Sequence, residues 1–261
     1  MTLLQLHNVT KSFGGLTAVK ALSFSAGAGR ITSLIGPNGA GKTTVINLIT
    51  GVQPMTSGKV ELMGEDVSRL GQHARVARGI TRSYQTPQMI RGLTAIENVE
   101  VGADLQGRMS FGAALFAPWK IPRANRRSRE AARAALKRAG LEEALWDKEA
   151  AALSYGDQRR VELARALTHE PKMILLDEPA AGLNPRETKE LGAYLKGLAA
   201  DGMGILLVEH DMPLVMSISD DVVVVCFGEK IAEGNPQTVQ NDPKVIAAYL
   251  GMSETEEAIH G

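Results

Sequence analysis

The sequence predicts an α/β fold around a mostly parallel sheet, and three observations carry that expectation. Three short runs rich in branched apolar residues, MILLDE from Met173, GILLVEH from Gly204 and VVVVCF from Val222, have the uninterrupted apolar texture of strands buried on both faces. A glycine-rich loop sits between a strand-like segment ending at Ile35 and a helix-like one beginning near Lys42. A stretch from about Gln88 to Glu149 is dominated by alanine, arginine and glutamate, as expected of helices inserted into the α/β body.

Taken in order, Leu4, Leu6 and Val9 alternate, and the apolar segments Leu22 to Ser25 and Ile31 to Ile35 follow, each bounded by glycine-bearing turns. These read as strands that lead into the glycine-rich loop. Beyond Thr43, VINLITG has the spacing of a buried helix ending at Gly51, and VELMG returns to strand character. RANRRSREAARAALKRAG is the clearest amphipathic helix, and its Arg123, Arg126, Arg127 and Arg129 read as a solvated face. The closing SETEEAIHG reads as a polar, frayed tail. No repeat or low-complexity tract interrupts the chain, so one domain is expected to fill it, with a sheet part over 1–87 and 166–240, a helical part over 88–165 and a C-terminal helix and tail over 241–261.

With 261 residues and 44% hydrophobic content the chain has material for a sizeable core. Its 29 basic and 29 acidic residues cancel, so no long-range field draws it to nucleic acid, and an anionic ligand must be held locally. The only cysteine, Cys226, lies in an apolar run, reads as a buried inert thiol and fits a reducing compartment. The N-terminal MTLLQLHNVTKSF lacks the pattern of a targeting leader, and no stretch approaches the roughly 18 apolar residues of a membrane span. The expectation is a cytosolic chain, reaching a membrane only through a partner.

The chemistry centres on Gly36, Pro37, Asn38, Gly39, Ala40, Gly41, Lys42 and Thr43, followed by Thr44. Two glycines, a lysine and a hydroxyl residue in this register let backbone N–H groups converge on phosphate oxygens, while the helix that follows points its positive end at them. Lys42 is placed to neutralise β and γ phosphates, and Thr43 to ligate magnesium. A glycine-rich turn with no ligand is the plainer reading, and the strand–loop–helix context weighs against it. At the end of an apolar strand, Asp177 supplies a carboxylate for the magnesium shell and Glu178 one to polarise an attacking water. A solvated strand end explains such a pair equally well when it is considered alone. Ser154, with Asp157 three residues on, reads as a helix cap.

LSYGDQ at Leu153 to Gln158, lying before MILLDEP and after the lysine loop, makes the whole chain resemble the ATP-binding cassette (ABC) family. The resemblance implies a P-loop NTPase of the ABC type, with an antiparallel β part and an inserted helical subdomain beside the parallel core. It further implies ATP with magnesium as the bound species, and ATP hydrolysis as the activity. In that family the segment equivalent to Ser154, Tyr155, Gly156, Asp157 and Gln158 completes the ATP site of a second cassette in a head-to-tail dimer. By position, Phe13 resembles the aromatic that stacks on adenine, Gln85 the glutamine of the magnesium and coupling loop, Asn184 the D-loop acid and His210 the switch histidine. Tyr155, Asp157 and Asn184 depart from the residues usual there.

LSYGDQRRVELARAL, LLDEPAAGLNPRET, GITRSYQ with TAIENVEVG, and VEHDMPLVMSISD together resemble the ATP-binding subunits of branched-chain amino acid importers of the LivG type. That likeness implies a cassette pair, heteromeric by preference, beneath two transmembrane permease subunits at the cytoplasmic face of the inner membrane. An extracytoplasmic binding protein would deliver leucine, isoleucine or valine, and Arg82, Tyr84 and the segment after Met89 would line the groove for the permease. Cassettes for urea or lipopolysaccharide, and non-transport ABC ATPases of ribosomes or DNA, are the alternatives. The latter typically carry tandem cassettes or a long coiled coil, and neither is present in the sequence.

Overall fold

The computed structural model describes residues 1–83, 89–104 and 126–249. Two compact units emerge, one formed by residues 1–85 with 172–261 and the other by residues 86–171.

The first unit holds two sheets. In the first, β1 (Thr2–Phe13) and β2 (Leu16–Gly27) form a long hairpin turned at Gly14 and Gly15, with β4 (Ser57–Leu62) and β5 (Glu65–Asp66) continuing an antiparallel sheet in the order β2-β1-β4-β5. The second has six strands in the order β10-β9-β3-β8-β7-β6. Here β3 (Ile31–Ile35), β6 (Ile80–Arg82), β7 (Met173–Asp177), β8 (Gly204–Val208) and β9 (Asp221–Cys226) run parallel, and β10 (Glu229–Gly234) closes one edge antiparallel to β9.

Every residue of β3, β7 and β8 is buried, which explains why their sequences show no alternation: both faces of the sheet are covered. Between the sheets, one hydrophobic cluster joins Leu4, Leu6 and Leu22 of the hairpin to Leu34, Leu175 and Leu206 of the parallel strands and to Val45, Ile46 and Ile49 of helix α1 (Lys42–Thr50). Helix α1 ends as expected at Gly51, whose left-handed φ of 74° lets its amide cap the Leu48 carbonyl, and a short helix α2 (Gln72–Val76) precedes β6. Cys226 is half-buried at the end of β9, not a core residue as its apolar neighbours suggest, because the strand is emerging into the β9–β10 turn there. Partial burial pushes its thiol pKa up.

The helical unit packs α3 (Ala95–Asp104), α4 (Arg126–Arg138) and α5 (Tyr155–Leu167) against one another. Helix α4 buries Ala132, Ala135 and Leu136 and leaves Arg129, Arg133 and Lys137 in solvent, as amphipathic spacing requires. Arg123 and the side chains of Arg126 and Arg127 lie outside the described residues. No described helix is long and apolar enough to cross a membrane.

Candidate nucleotide site

Parallel pairing places the C-terminal ends of β3, β7 and β8 at one sheet edge, with Leu34 and Asp177 each in register with Val208. Ligands of open α/β sheets bind outside the carboxyl ends of the strands, and the loops leaving this edge carry Gly36, Glu178 and His210.

The loop from Gly36 to Gly41 holds its shape through close backbone approaches that only glycine permits. A side chain at Gly36, whose φ is 154°, would put its Cβ 2.0 Å from the Val225 carbonyl oxygen, and one at Gly41, with φ 100°, would meet the Ala18 oxygen at 2.5 Å. The second contact seats the loop beside the β1–β2 hairpin, whose tip carries Phe13. That ring is exposed and free of the core, with Lys11 Nζ 4.8 Å from its centroid. An aromatic at the tip of a hairpin, outside the core, suits stacking on a planar ligand rather than packing.

Helix α1 starts at Gly41 with no side-chain cap, whereas α5, α6 (Pro185–Ala200), α7 (Met212–Ile218) and α8 (Pro236–Gln240) are capped by Ser154, Asn184, Asp211 and Asn235 respectively. The first-turn amides of α1, at the positive end of the helix dipole, are therefore presented to an anion instead of to a side-chain oxygen. Lys42 is buried, and its ammonium donates to the carbonyls of Gly36 at 2.6 Å and Pro37 at 2.9 Å. Burial lowers its pKa from the ordinary lysine value, while Glu178 first and Asp177 second pull it back up.

Asp177 is buried at the end of β7, and its Oδ2 accepts from Arg82 Nη2 at 2.8 Å. The Arg82 Nη1 donates to Asn47 Oδ1 of α1 at 2.6 Å, so one guanidinium ties β6, β7 and the phosphate-loop helix together. Expected by position to face a membrane partner, the Arg82 side chain is instead only 10% exposed. Sequence spacing gives no hint of this, because the two ends of the ion pair are 95 residues apart.

Glu178 adopts φ 47°, a left-handed conformation that costs a residue with a Cβ roughly 1–2 kcal/mol. Its amide donates to the Val208 carbonyl at 2.8 Å and holds that turn against β8. The His210 ring is exposed, with Nδ1 3.9 Å from both Glu178 Oε1 and Glu209 Oε2. Glu209, which sequence reading passed over, is fully buried; an acid closing a strand next to the one that ends in Asp177 is the signal that marks it.

Gln85 and Tyr84 lie outside the described residues. For magnesium, the remaining donor set of Thr43 hydroxyl and Asp177 carboxylate is hard oxygen, as that ion requires, and Thr43 is exposed at the start of α1. No cluster of three or more His, Cys, Asp or Glu forms a ready-made metal cage among the described residues.

The Asn184 side chain accepts from the amides of Arg186 and Glu187, both at 3.0 Å, while Glu187 accepts from the Asn184 amide at 2.9 Å, a complete capping box. Asparagine thus keeps the cap that aspartate would make. Asn184→Ala is expected to cost about 1 kcal/mol in denaturant unfolding, and Asn184→Asp to leave the midpoint within error.

In the helical unit Ser154 caps α5: its hydroxyl accepts from the Asp157 amide at 3.2 Å and donates to Asp157 Oδ2 at 2.7 Å. Gln158 donates to the Leu153 carbonyl and Arg160 to Asp157 Oδ1, each at 3.0 Å. Tyr155 stays exposed, with the Arg159 guanidinium 5.5 Å from its ring centroid.

Comparison with known proteins places the chain in a family. The family model "ABC transporter" matches residues 19–181, and a second model, "Branched-chain amino acid ATP-binding cassette transporter", matches residues 229–251. The chain is 40% identical over 250 residues to the high-affinity branched-chain amino acid transport ATP-binding protein BraF of Pseudomonas aeruginosa, covering 95% of this chain and 98% of that one. It is 41% identical, with the same coverage, to LivG of Escherichia coli. A solved nucleotide-free ATP-binding cassette from an ABC transporter superposes with a TM-score of 0.85 at 34% identity, covering 95% of this chain and 99% of its own. The ADP conformation of an ABC transporter cassette gives the same score and identity, covering 96% and 99%.

Proposed function

Because this chain belongs to the ABC transporter ATP-binding family, we propose that it is the ATP-hydrolysing cassette of an importer for leucine, isoleucine and valine. Membership makes it an ATP-binding, ATP-hydrolysing transport subunit, and the cargo is the part of the reading that needs further support. That support is the pairing of high identity to BraF and LivG along nearly the whole chain with the match of residues 229–251 to the branched-chain model.

At the site, the uncapped first turn of α1 and the Lys42 ammonium bind the β and γ phosphates, and Phe13 stacks on the base. Triphosphate oxygens exchange with the Gly36 and Pro37 carbonyls as partners of Lys42. Magnesium, held by Thr43, Asp177 and Gln85, would supply charge neutralisation at the phosphates when bound. Glu178 accepts the proton of the attacking water and aims it at the γ phosphorus, and His210 donates to the γ oxygens. Ser154 and Gly156, at the tip of α5, offer a helix N-terminus to the γ phosphate held by a second cassette. Binding energy thereby draws two cassettes together, and hydrolysis releases them.

The partners follow from this scheme: a second cassette, non-identical by preference, and two permease subunits at the cytoplasmic face of the membrane, served by an extracytoplasmic binding protein. Co-expression with the genes that neighbour its own is expected to yield, on purification through this chain, two membrane subunits and a distinct second cassette. In proteoliposomes given the binding protein, that complex is expected to accumulate labelled leucine only with magnesium and ATP. Uptake of urea in place of leucine would overturn the cargo, and purification without membrane subunits would overturn the assembly.

A further inference from the structure

A fully buried carboxylate stands between the two loops that carry Glu178 and His210. Strands β7 and β8 are neighbours, with Asp177 opposite Val208, so the residues that follow each strand leave the sheet side by side. Glu209 is the first residue after β8 and is 0% exposed. Its Oε1 accepts the amide of Ala180, two residues after Glu178, at 2.7 Å. Its Oε2 accepts the amides of His210 at 3.1 Å and Asp211 at 3.4 Å, and lies 3.9 Å from His210 Nδ1. Among the described residues no lysine or arginine pairs with it, and the His210 ring is the only basic side chain within 4 Å of it.

Burying a carboxylate without a cation is costly, and backbone amides offset that cost only while they remain aimed at it. The amides that do so here belong to the two segments that position Glu178 and His210, and to no others in the described chain. Strand β8 itself is held by its ladders to β3 and β7, so these bonds are not what keeps the sheet together. We infer that Glu209 is a positioning residue for ATP hydrolysis, a brace that fixes the Glu178 turn against the His210 turn so that both reach the γ phosphate in one geometry. The inference rests on the nucleotide-site reading above and adds to it a residue that touches no substrate. Glutamine has the same size but turns one acceptor into an NH2 group facing an amide donor, which breaks one arm of the brace.

The test uses the complex purified through this chain, with its second cassette and membrane subunits, first as wild type. Glu209→Gln is expected to lower kcat for ATP about 10- to 100-fold, the scale of a misplaced catalytic group. The KM for ATP and the Kd for ADP are expected to stay within twofold, because Lys42 and the amides of α1 are untouched, and the melting temperature to shift by only a few degrees. Glu209→Asp keeps the charge with a shorter reach; its kcat is expected to fall less, with the same split from KM, and it carries the test if the glutamine variant fails to fold. Wild-type kcat in Glu209→Gln, or a parallel loss of kcat, KM and ADP affinity, would overturn the brace. A wild-type complex in which this chain neither binds nor turns over ATP would sink the nucleotide site and the brace with it, whereas a working wild type with an indifferent Gln variant sinks the brace alone.

Discussion

Glu178→Gln is expected to abolish turnover while leaving ATP bound, with kcat reduced by about two to four orders of magnitude, the range supplied by a positioned general base. The structure supports so selective an effect. Glu178 reaches the site from a turn fixed by its own backbone, through the bond to Val208 and the Ala181 amide bonded to its carbonyl, and glutamine leaves both in place. Lys42 keeps its bonds to the Gly36 and Pro37 carbonyls and the neighbouring charge of Asp177 when Glu178 becomes glutamine. With hydrolysis blocked and binding intact, magnesium and ATP should hold two cassettes together, so size-exclusion chromatography of the variant mixed with the second cassette should show a nucleotide-dependent pair. Turnover near that of the wild type, or a variant that fails to pair with the second cassette in ATP, would remove Glu178 from the role given to it.

Lys42→Ala has the opposite signature. Charge-assisted hydrogen bonds are worth about 1.5–3 kcal/mol each, so losing the ammonium should weaken ATP binding by roughly 10- to 150-fold in calorimetry. A second consequence comes from the fold. The lysine also bonds the Gly36 and Pro37 carbonyls, and alanine leaves those buried oxygens without that donor. The variant should therefore melt lower than the wild type even without nucleotide, a change that Glu178→Gln should not show. Unaltered ATP affinity in Lys42→Ala would mean that the loop grips no phosphate.

Much of this was legible in the residues because it is local. The all-buried strands announce themselves as unbroken apolar runs, and α1 and its stop at Gly51 follow from spacing and a glycine. Lys42, Asp177 and Glu178 stand in motifs only a few residues long, so their chemistry could be read before their placement. What stayed hidden is non-local. The Arg82–Asp177 pair spans 95 residues and the Glu209–Ala180 bond 29, and neither leaves a periodic trace. Residues that look like surface cations or strand-end acids are drawn inward by partners that only the sheet order supplies. The first sheet shows the same limit: alternation in Leu4, Leu6 and Val9 reveals a strand, but the register shifts along β1 depend on neighbours that sequence does not name.

The left-handed backbone at Glu178 sets a hazard for anyone who would harden this protein against heat. A redesign guided by conformational preference alone would choose glycine at that position, relaxing the turn and discarding the water-activating group in one step. Shelf life and throughput are opposed at a single α-carbon, and a programme that seeks robustness must leave that strained residue alone and look for its gains elsewhere.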